Sequence, residues 1–369
     1  MRVLVVNAGS SSLKLRLLDG QDAILAEDEL PAPRAEIDHA AVERALESPL
    51  GEAQAVGHRV VHGGERFHSA VRIDAHVEAA IRGLIDLAPL HQPKSLAAMD
   101  AVGALLPELP AVACFDTAFH ASLPQAAATY ALPAEWRERW GLRRYGFHGL
   151  SHAWVARRAP ELLGGAGKDL RIVSCHLGAG ASLCAIRDGS SLDTTMGFTP
   201  LEGLVMATRS GSVDPGLLLW LLEHEKLSPR ELAQALEHRS GLLALSGTGD
   251  MRELLDRVGG DDLKAQLALD VYLHSLRAGI AAMAAALGGL DALAFTGGVG
   301  EHSPQVRALA VEGLGFLGLA LDAERNRSSA GDADVSAPQA SAKTVVLSAR
   351  EDIEIARQVR AVLGRRGDR

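Results

Sequence analysis

The sequence predicts an α/β protein built from two related halves. Its 369 residues exceed the roughly 250–300 residues at which a single hydrophobic core stops growing, so we expect two domains. Short apolar, β-branched stretches that end in polar or glycine-rich turns alternate with helical stretches, which indicates α/β architecture. One strand–turn–strand stretch occurs twice, which indicates an internal duplication.

The repeated stretch begins with a short apolar strand. Val3–Val6 precedes the polar turn Asn7–Ser12 and a second predicted strand at Leu13–Leu18. Arg171–Gly189 follows the same plan, and both stretches are 19 residues long without a gap and end in Asp-Gly. Matched length and matched ends favour duplication over chance.

Local signals predict several helices. The apolar strand Ala292–Phe295 leads into a glycine turn at Thr296–Glu301, after which Ser303 suits an N-cap and Pro304 the first helical position. Ser228–Glu231 reads as a capping box before another helix. One helix face, which we expect in the core, is marked by Leu276, Ile280, Met283 and Leu287.

Charge and composition argue against several classes of function. The formal net charge is −9 with no long basic run, so neither nucleic acid nor an anionic membrane is expected as a partner. The three cysteines show no C-x-x-C spacing, which favours reduced thiols in a cytoplasmic protein. Polar residues follow Met1–Val6 at once, so we expect no signal peptide, and Ala278–Leu290 is too short to span a bilayer.

Three glycine turns suit phosphate binding. Gly9, Gly178–Gly180 and Gly297–Gly300 each follow an apolar strand. Without a Cβ, the backbone at such turns approaches a ligand closely and aims N–H groups at its oxygens. None of the three matches a Walker A loop or a dinucleotide-binding fingerprint. The turns therefore indicate a phosphate site of another kind.

Charged and histidine-rich segments interrupt apolar surroundings at Gly57–Gly64, Phe115–His120, Tyr145–Gly149 and Ala207–Gly211. An arginine between apolar runs must be paired or must face a cavity. Two interpretations of Arg59 and Asp116 are open at this point. They form a structural buried ion pair, or they act on a substrate.

These segments and others resemble the acetate kinase family over nearly the whole chain. The other matching segments are Val5–Lys14, Ala88–Pro93, His176–Gly180, Asp193–Gly203, Arg209–Pro215, Gly249–Arg252 and Gly297–Glu301. The resemblance implies the actin-like ATPase fold, with duplicated ribonuclease-H-like domains and a central cleft for nucleotide and substrate. It also implies domain boundaries at 1–117 with 352–369, and at 118–351, the second domain binding the nucleotide.

The resemblance implies a role for each matching residue. Asn7 and Glu351 would hold the metal, which would be Mg²⁺ or Mn²⁺. The catalytic residues would be Arg59, Asp116, His148 and Arg209. Substrate would be bound by Arg59 and by an apolar acyl pocket of Val61, Leu90, Phe147 and Pro200. ATP or ADP would be bound by Ser10, Ser12, Lys14, His176, Leu177, Gly178, Ala179, Gly180, Asp250, Met251, Arg252, Gly298, Val299, Gly300, Glu301 and His302.

The implied activity is reversible phosphoryl transfer between ATP and acetate, which gives acetyl phosphate and ADP, by a cytoplasmic homodimer. Such a transition state spreads negative charge over equatorial oxygens, so cations and oriented donors do most of the stabilising. The acceptor carboxylate, with a pKa near ~4, is already ionised at neutral pH and needs no general base. We therefore expect Asp116 to orient Mg²⁺ or an arginine rather than to remove a proton.

Three positions depart from the family pattern, and three alternatives stay open. Ala179, His302 and Ala349–Arg350 stand where the family usually has Asn, Asn and Thr-Asn, so we expect retuned nucleotide binding. The alternatives are a kinase for propionate or another short acyl chain, a phosphoryl donor such as pyrophosphate, and a non-catalytic actin-like nucleotide switch.

Overall fold

The computed structural model describes residues 1–9, 12–32, 37–89, 91–165 and 169–364. The chain forms two compact units. The first contains Met1–Ala121, Phe147–Trp154 and Arg350–Arg369, and the second contains Ser122–Gly146 and Val155–Ala349. The domain boundaries implied by the family resemblance stay a prediction. No helix in the described part of the chain is long and apolar enough to cross a membrane.

The strands are β1 (Val3–Ala8), β2 (Ser12–Leu18), β3 (Ile24–Pro31), β4 (Ala55–Val60), β5 (Val71–Arg72), β6 (Ala111–Phe115), β7 (Ile172–Leu177), β8 (Ala181–Arg187), β9 (Ser190–Thr194), β10 (Ala292–Thr296), β11 (Ala333–Asp334) and β12 (Lys343–Val346). The α-helices are α1 (His39–Leu46), α2 (Ala75–Arg82), α3 (Gln92–Leu105), α4 (Gln125–Ala128), α5 (Ala134–Trp140), α6 (Gly149–Leu162), α7 (Pro215–Glu223), α8 (Pro229–His238), α9 (Gly241–Ser246), α10 (Met251–Gly259), α11 (Leu263–Leu287), α12 (Gly297–His302), α13 (Pro304–Glu312), α14 (Ala323–Ser328) and α15 (Glu351–Gly364).

The sheet of the first unit has the order β3-β2-β1-β4-β6-β5. Strands β1, β4 and β6 are parallel neighbours, and the other pairings are antiparallel. Leu4 and Val6 of β1 pack with α1 and α3 on one face, whereas Val3 and Val5 pack with α15 on the other. The first predicted strand is therefore apolar at every position because both of its faces are covered.

The sheet of the second unit repeats this topology in the order β9-β8-β7-β10-β12-β11. Each sheet has an antiparallel pair beside its first strand, two further strands parallel to that strand, and an antiparallel strand at the far edge. This equivalence confirms the predicted α/β class with two related halves. The predicted apolar face of α11 is also confirmed, because all four of its marked residues are buried.

The two hairpins differ in register. Ala8 pairs with Leu13, five positions later in the chain, whereas Leu177 pairs with Ala181, four positions later. The second turn is therefore one residue shorter. The gap-free match found in the sequence does not carry over to the second strand of the hairpin.

The third glycine segment was predicted as a turn and is instead the short helix α12. Gly297 enters it with φ +78°, and the Glu301 carboxylate accepts a hydrogen bond from the Gly297 N–H at 2.9 Å, which holds the helical turn closed. The caps that follow are confirmed. Ser303 accepts from the Val306 N–H at the start of α13, and the capping box of Ser228 opens α8.

Candidate active site

Four polar side chains of the first unit meet at one edge of its sheet. Asn7 lies near the end of β1, Arg59 near the end of β4, and Asp116 directly after β6, while Glu351 begins α15. Because β1, β4 and β6 are parallel neighbours, their carboxyl ends lie at the same edge. That edge is where ligands bind in open α/β sheets.

The Arg59 guanidinium is the centre of this cluster. It donates from Nη2 and Nε to Asp116 Oδ2 at 2.6 and 3.1 Å, and from Nη1 to Asn7 Oδ1 at 3.1 Å. Asn7 Nδ2 in turn donates to Glu351 Oε2 at 3.0 Å, and that oxygen lies 4.0 Å from Arg59 Nε. The sequence prediction therefore named four residues that the structure brings together.

Burial and neighbouring charges shift the pKa values of Asp116 and Arg59. Burial raises the pKa of the Asp116 carboxyl, and the adjacent Arg59 guanidinium opposes that shift. Burial lowers the pKa of Arg59, but the charges of Asp116 and Glu351 outweigh it and raise that pKa above its ordinary value. Arg59 therefore stays a cation. Its planar guanidinium suits two-point binding of a carboxylate or phosphate group.

The donor set of the cluster fits a hard divalent cation. Asp116 Oδ1 is buried and accepts no hydrogen bond from the described residues, and oxygens of Asn7 and Glu351 lie in the same hydrogen-bonded group. In the described part of the chain no group of three or more His, Cys, Asp or Glu side chains is arranged to hold a metal. Mg²⁺ needs no such cage, because it is usually bound by one or two carboxylates together with substrate phosphates and water.

The first predicted phosphate-binding turn, which contains Gly9, is only partly described. Lys14 pairs directly with Asn7 across β1 and β2, so both side chains lie on the same face of the sheet. Its Nζ lies 3.9 Å from Glu29, and Ser12 Oγ donates to the same carboxylate at 2.6 Å. Ser10 lies outside the described residues.

His148 is held in an uncommon backbone conformation. Its φ is +55°, and the next residue, Gly149, donates its N–H to the Asp116 carbonyl at 2.9 Å. A Cβ at Gly149 would lie 2.0 Å from that carbonyl oxygen, so only glycine allows this approach. The segment that carries His148 is thereby fixed directly against the loop that carries Asp116.

The residues predicted for the acyl pocket are distributed over both units. Val61 and Phe147 are buried in the first unit, and the ring of His62, the residue after Val61, packs edge-on against Phe147 with the ring centroids 5.5 Å apart. Pro200 is buried in the second unit. Leu90 lies outside the described residues.

Arg209 of the second unit is partly buried and faces Glu237. Its Nη1 donates to the Pro200 carbonyl at 3.2 Å, and its Nε lies 3.5 Å from Glu237 Oε2. Burial lowers the pKa of Arg209, and Glu237 opposes that shift. The sequence analysis did not identify Glu237, because nothing at this α8 position distinguishes it from an ordinary surface glutamate.

The predicted second phosphate loop joins β7 and β8. Gly178 donates its N–H to the Gly180 carbonyl at 2.9 Å, and the Ala179 carbonyl accepts from Ala207 at 3.3 Å. His176 lies within β7, and the side chain of Leu177 is fully buried. Only the backbone of Leu177 could therefore contact a ligand.

The last two groups of predicted nucleotide-binding residues, Asp250–Arg252 and Gly298–His302, belong to two helices of the second unit. Asp250 caps α10 and pairs with Arg252 at 2.8 Å, whereas Met251 between them is buried. On α12, Glu301 also accepts from the Ala349 N–H at 3.0 Å, so its carboxylate is held by backbone groups. The other α12 residues in the prediction are Gly298, Val299, Gly300 and His302.

The chain is similar to acetate kinases over its full length. Residues 35–357 match the sequence model of the Acetokinase family. The acetate kinase of Gloeobacter violaceus is 45% identical, with 97% of this chain and 98% of that protein covered. The acetate kinase of Acetivibrio thermocellus is 40% identical, with the same coverage of 97% and 98%.

Solved structures agree with the sequence comparison. The Porphyromonas gingivalis acetate kinase superposes with a TM-score of 0.89 at 37% identity, over 98% of this chain and 99% of that one. A propionate kinase from Francisella tularensis superposes with a TM-score of 0.90 at 33% identity, also over 98% and 99%. Both have the fold of this chain.

Proposed function

The chain belongs to the acetokinase family and is a phosphotransferase, and on that premise we propose that it transfers a phosphoryl group reversibly between ATP and acetate. The products in the forward direction are acetyl phosphate and ADP. The observation that carries the proposal is the Arg59–Asp116–Asn7–Glu351 cluster at the carboxyl edge of the first sheet. A non-catalytic nucleotide switch would have no use for this arrangement.

In the proposed reaction Arg59 binds the carboxylate and then the transferring group. Asp116 and Asn7 hold three of its N–H donors, which fixes the plane of the guanidinium before substrate arrives. A fixed cation stabilises the charge that develops on the equatorial phosphoryl oxygens. Acetate is already ionised at neutral pH, so the step needs no general base. Asp116 therefore acts by orienting Arg59.

Further residues have proposed roles in the same reaction. Mg²⁺ held by Asn7 and Glu351 would neutralise charge on the nucleotide phosphates. His148 and Arg209 would add donors to the transferring group. The nucleotide would be bound by Ser10, Ser12, Lys14, His176–Gly180, Asp250–Arg252 and Gly298–His302.

We propose acetate rather than propionate as the preferred acceptor. Val61 and Phe147 of the first unit are apolar and buried, which suits a methyl group. The bulk of Phe147 favours the smaller acid, although one structural neighbour is a propionate kinase. A hydrophobic pocket separates acids that differ by one methylene by only about 10- to 200-fold, so we expect weak use of propionate.

The direct test is a hydroxylamine assay that traps acyl phosphate from purified protein. Acetate with ATP and Mg²⁺ should give the highest kcat/KM, propionate a lower one, and pyrophosphate in place of ATP no product. A chelator should abolish turnover, since the phosphate charge would then lack its counterion. A preference for propionate would overturn the acceptor, and turnover without divalent cations would overturn the metal role of Asn7 and Glu351.

We also propose that the protein acts in the cytoplasm as a homodimer. Helix α7 is strongly apolar, yet none of its residues is buried within the chain, and Leu217, Leu219 and Trp220 are each about half exposed. A cluster of this kind usually marks an interaction surface. We propose that a second copy of the chain binds to α7. In sedimentation equilibrium the Leu219→Arg variant should become monomeric, whereas a wild-type monomer would contradict the proposal.

A further inference from the structure

Beyond the end of β4, the Gln92 side chain forms the backbone hydrogen bonds that a neighbouring strand would otherwise form. The pairing between β4 and β6 ends at Val60, where Asp116 donates its N–H to the Val60 carbonyl at 3.0 Å. Two residues later, His62 donates its N–H to Gln92 Oε1 at 3.1 Å, and Gln92 Nε2 donates back to the His62 carbonyl at 3.1 Å. One amide group therefore satisfies both backbone groups of His62.

Gln92 is well placed to be rigid. Its side chain is fully buried, it is the first residue of α3, and Nε2 also donates to the Ile81 carbonyl at 3.4 Å. A buried amide whose donors and acceptor are all engaged has no alternative arrangement at similar free energy. The backbone of His62 is held accordingly.

The His62 ring passes this constraint to the predicted acyl pocket. Its Nδ1 accepts from the Gly64 N–H at 2.9 Å, which fixes the ring, and the ring packs against Phe147. Val61 directly precedes His62 in the chain and follows Arg59 by two residues. Fixing His62 therefore fixes one pocket residue through the backbone and another through ring packing.

We propose that Gln92 is a positioning residue that sets how strictly the enzyme discriminates between short carboxylates of different length. The inference rests on the proposed function and concerns the acceptor side of that same site. A wall that cannot move makes an additional methylene unfavourable, whereas a wall that yields accommodates it. Gln92 does not contact the substrate in this account, and it acts through Val61 and Phe147.

The test is the ratio of kcat/KM for propionate to that for acetate in Gln92→Met. Methionine keeps the shape of the side chain and removes all three hydrogen bonds. The ratio should rise by about 3- to 10-fold, as a softened pocket loses part of its discrimination. The KM for ATP should stay unchanged. Because both acids are measured on one preparation, the ratio does not depend on the folded fraction.

Two further variants make the result specific. Gln92→Asn keeps the amide but is one methylene shorter, so it should raise the ratio as Gln92→Met does. Val102→Ala is the matched control, because Val102 is a buried residue of the same helix that packs in a different part of the core. It should destabilise the protein and leave the ratio unchanged.

A double variant tests whether Gln92 acts through Val61. Val61→Ala alone should raise the ratio by opening the pocket, and combining it with Gln92→Met should give less than the product of the two single effects. A fully multiplicative result would contradict action through Val61.

Three other outcomes would overturn the inference about Gln92, and one of them would also overturn the proposed function. A wild type that phosphorylates neither acid overturns the proposed function and this inference with it. A wild type that discriminates, with Gln92 variants within about twofold of its ratio, overturns the inference alone. Failure of both Gln92 variants to fold would assign Gln92 a general structural role and likewise overturn it.

Discussion

Arg209 is a partly buried cation that lies beside the carboxylate of Glu237. Glu237 lies 3.5 Å from its Nε, and its Nη1 donates to a backbone carbonyl. Such a group can stabilise developing charge strongly, because little water screens it. The Arg209→Ala variant should therefore lower kcat by about 10²-fold or more with the fold intact.

Lysine at position 209 should restore little of that activity, because it lacks the planar guanidinium. Arg187→Ala is the control, since Arg187 pairs with Asp169 on the surface of the same unit and should leave kcat unchanged. Steady-state kinetics decide the matter. An Arg209→Ala enzyme with normal kcat and only a raised KM would mean that Arg209 binds substrate without acting in the transition state.

His58 makes stability depend on pH. Burial lowers its pKa from 6.5 to about 4, and its Nδ1 has no hydrogen-bond partner among the described residues. The unfolded chain therefore binds a proton at a higher pH than the folded chain does. The stability tied to neutral His58 is complete above pH 6.5 and is lost as the pH falls toward 4.

Between about pH 7.5 and pH 5.5 this single group should lower the free energy of unfolding by about 1 kcal/mol. Urea unfolding at both pH values measures it. His58→Gln should remove that part of the difference, and an equal loss in wild type and variant would show that other groups are responsible.

At the scale of elements, the contact between β4 and α15 is unusually close. A Cβ at Gly57 would lie 2.6 Å from Ile355 Cγ2 and 2.7 Å from Val359 Cγ2. Both atoms belong to α15, the helix that begins with Glu351. The contact thus couples backbone packing to the placement of a site residue.

Gly57→Ala should destabilise the protein by about 1–3 kcal/mol and lower activity, because the helix must shift. Gly103→Ala on α3 is the matched control, since its Cβ would meet nothing within 4 Å. There alanine should stabilise by roughly 0.5–1 kcal/mol. Thermal unfolding of both variants checks the pair, and a Gly57→Ala protein as stable as wild type would contradict the packing account.

Local elements were predictable where local chemistry decides them. The strand of Val3–Val6, the cap at Ser303 and the capping box at Ser228 follow from residue pattern alone, and all are present. The prediction of a turn at Thr296–Glu301 is wrong, because the Glu301 side chain and the Gly297 backbone together stabilise the helix α12. Helix propensity is assigned to each residue type separately, so it does not account for that contact.

The sequence pointed to the charged residues of the candidate site, but it did not point to the residues that contact them or their neighbours. Arg59 and Asp116 stand out as charges among apolar neighbours, and the structure shows the predicted ion pair between them. Their action on a substrate stays a prediction. Gln92 and Glu237 gave no such signal. Their contacts join segments far apart in the sequence, and only the folded chain shows them.

At the scale of the whole molecule, duplication explains the architecture. Both sheets have the same strand order and directions, although their first hairpins differ by one residue in register. The repeat was visible in sequence because buried strands keep their apolar pattern. The return of the C-terminal helix α15 to the first unit had no local signal in the sequence and was implied only by the family resemblance.

The central claim is phosphoryl transfer to a short carboxylate at the Arg59 cluster. Phosphorus NMR of purified protein with ATP, acetate and Mg²⁺ tests it most directly, with Arg59→Ala under the same conditions as the comparison. The account predicts that acetyl phosphate and ADP appear together in the wild-type sample, and that the variant forms them at least about 10²-fold more slowly. ATP that persists unchanged, or ADP that accumulates with inorganic phosphate and no acetyl phosphate, would contradict it.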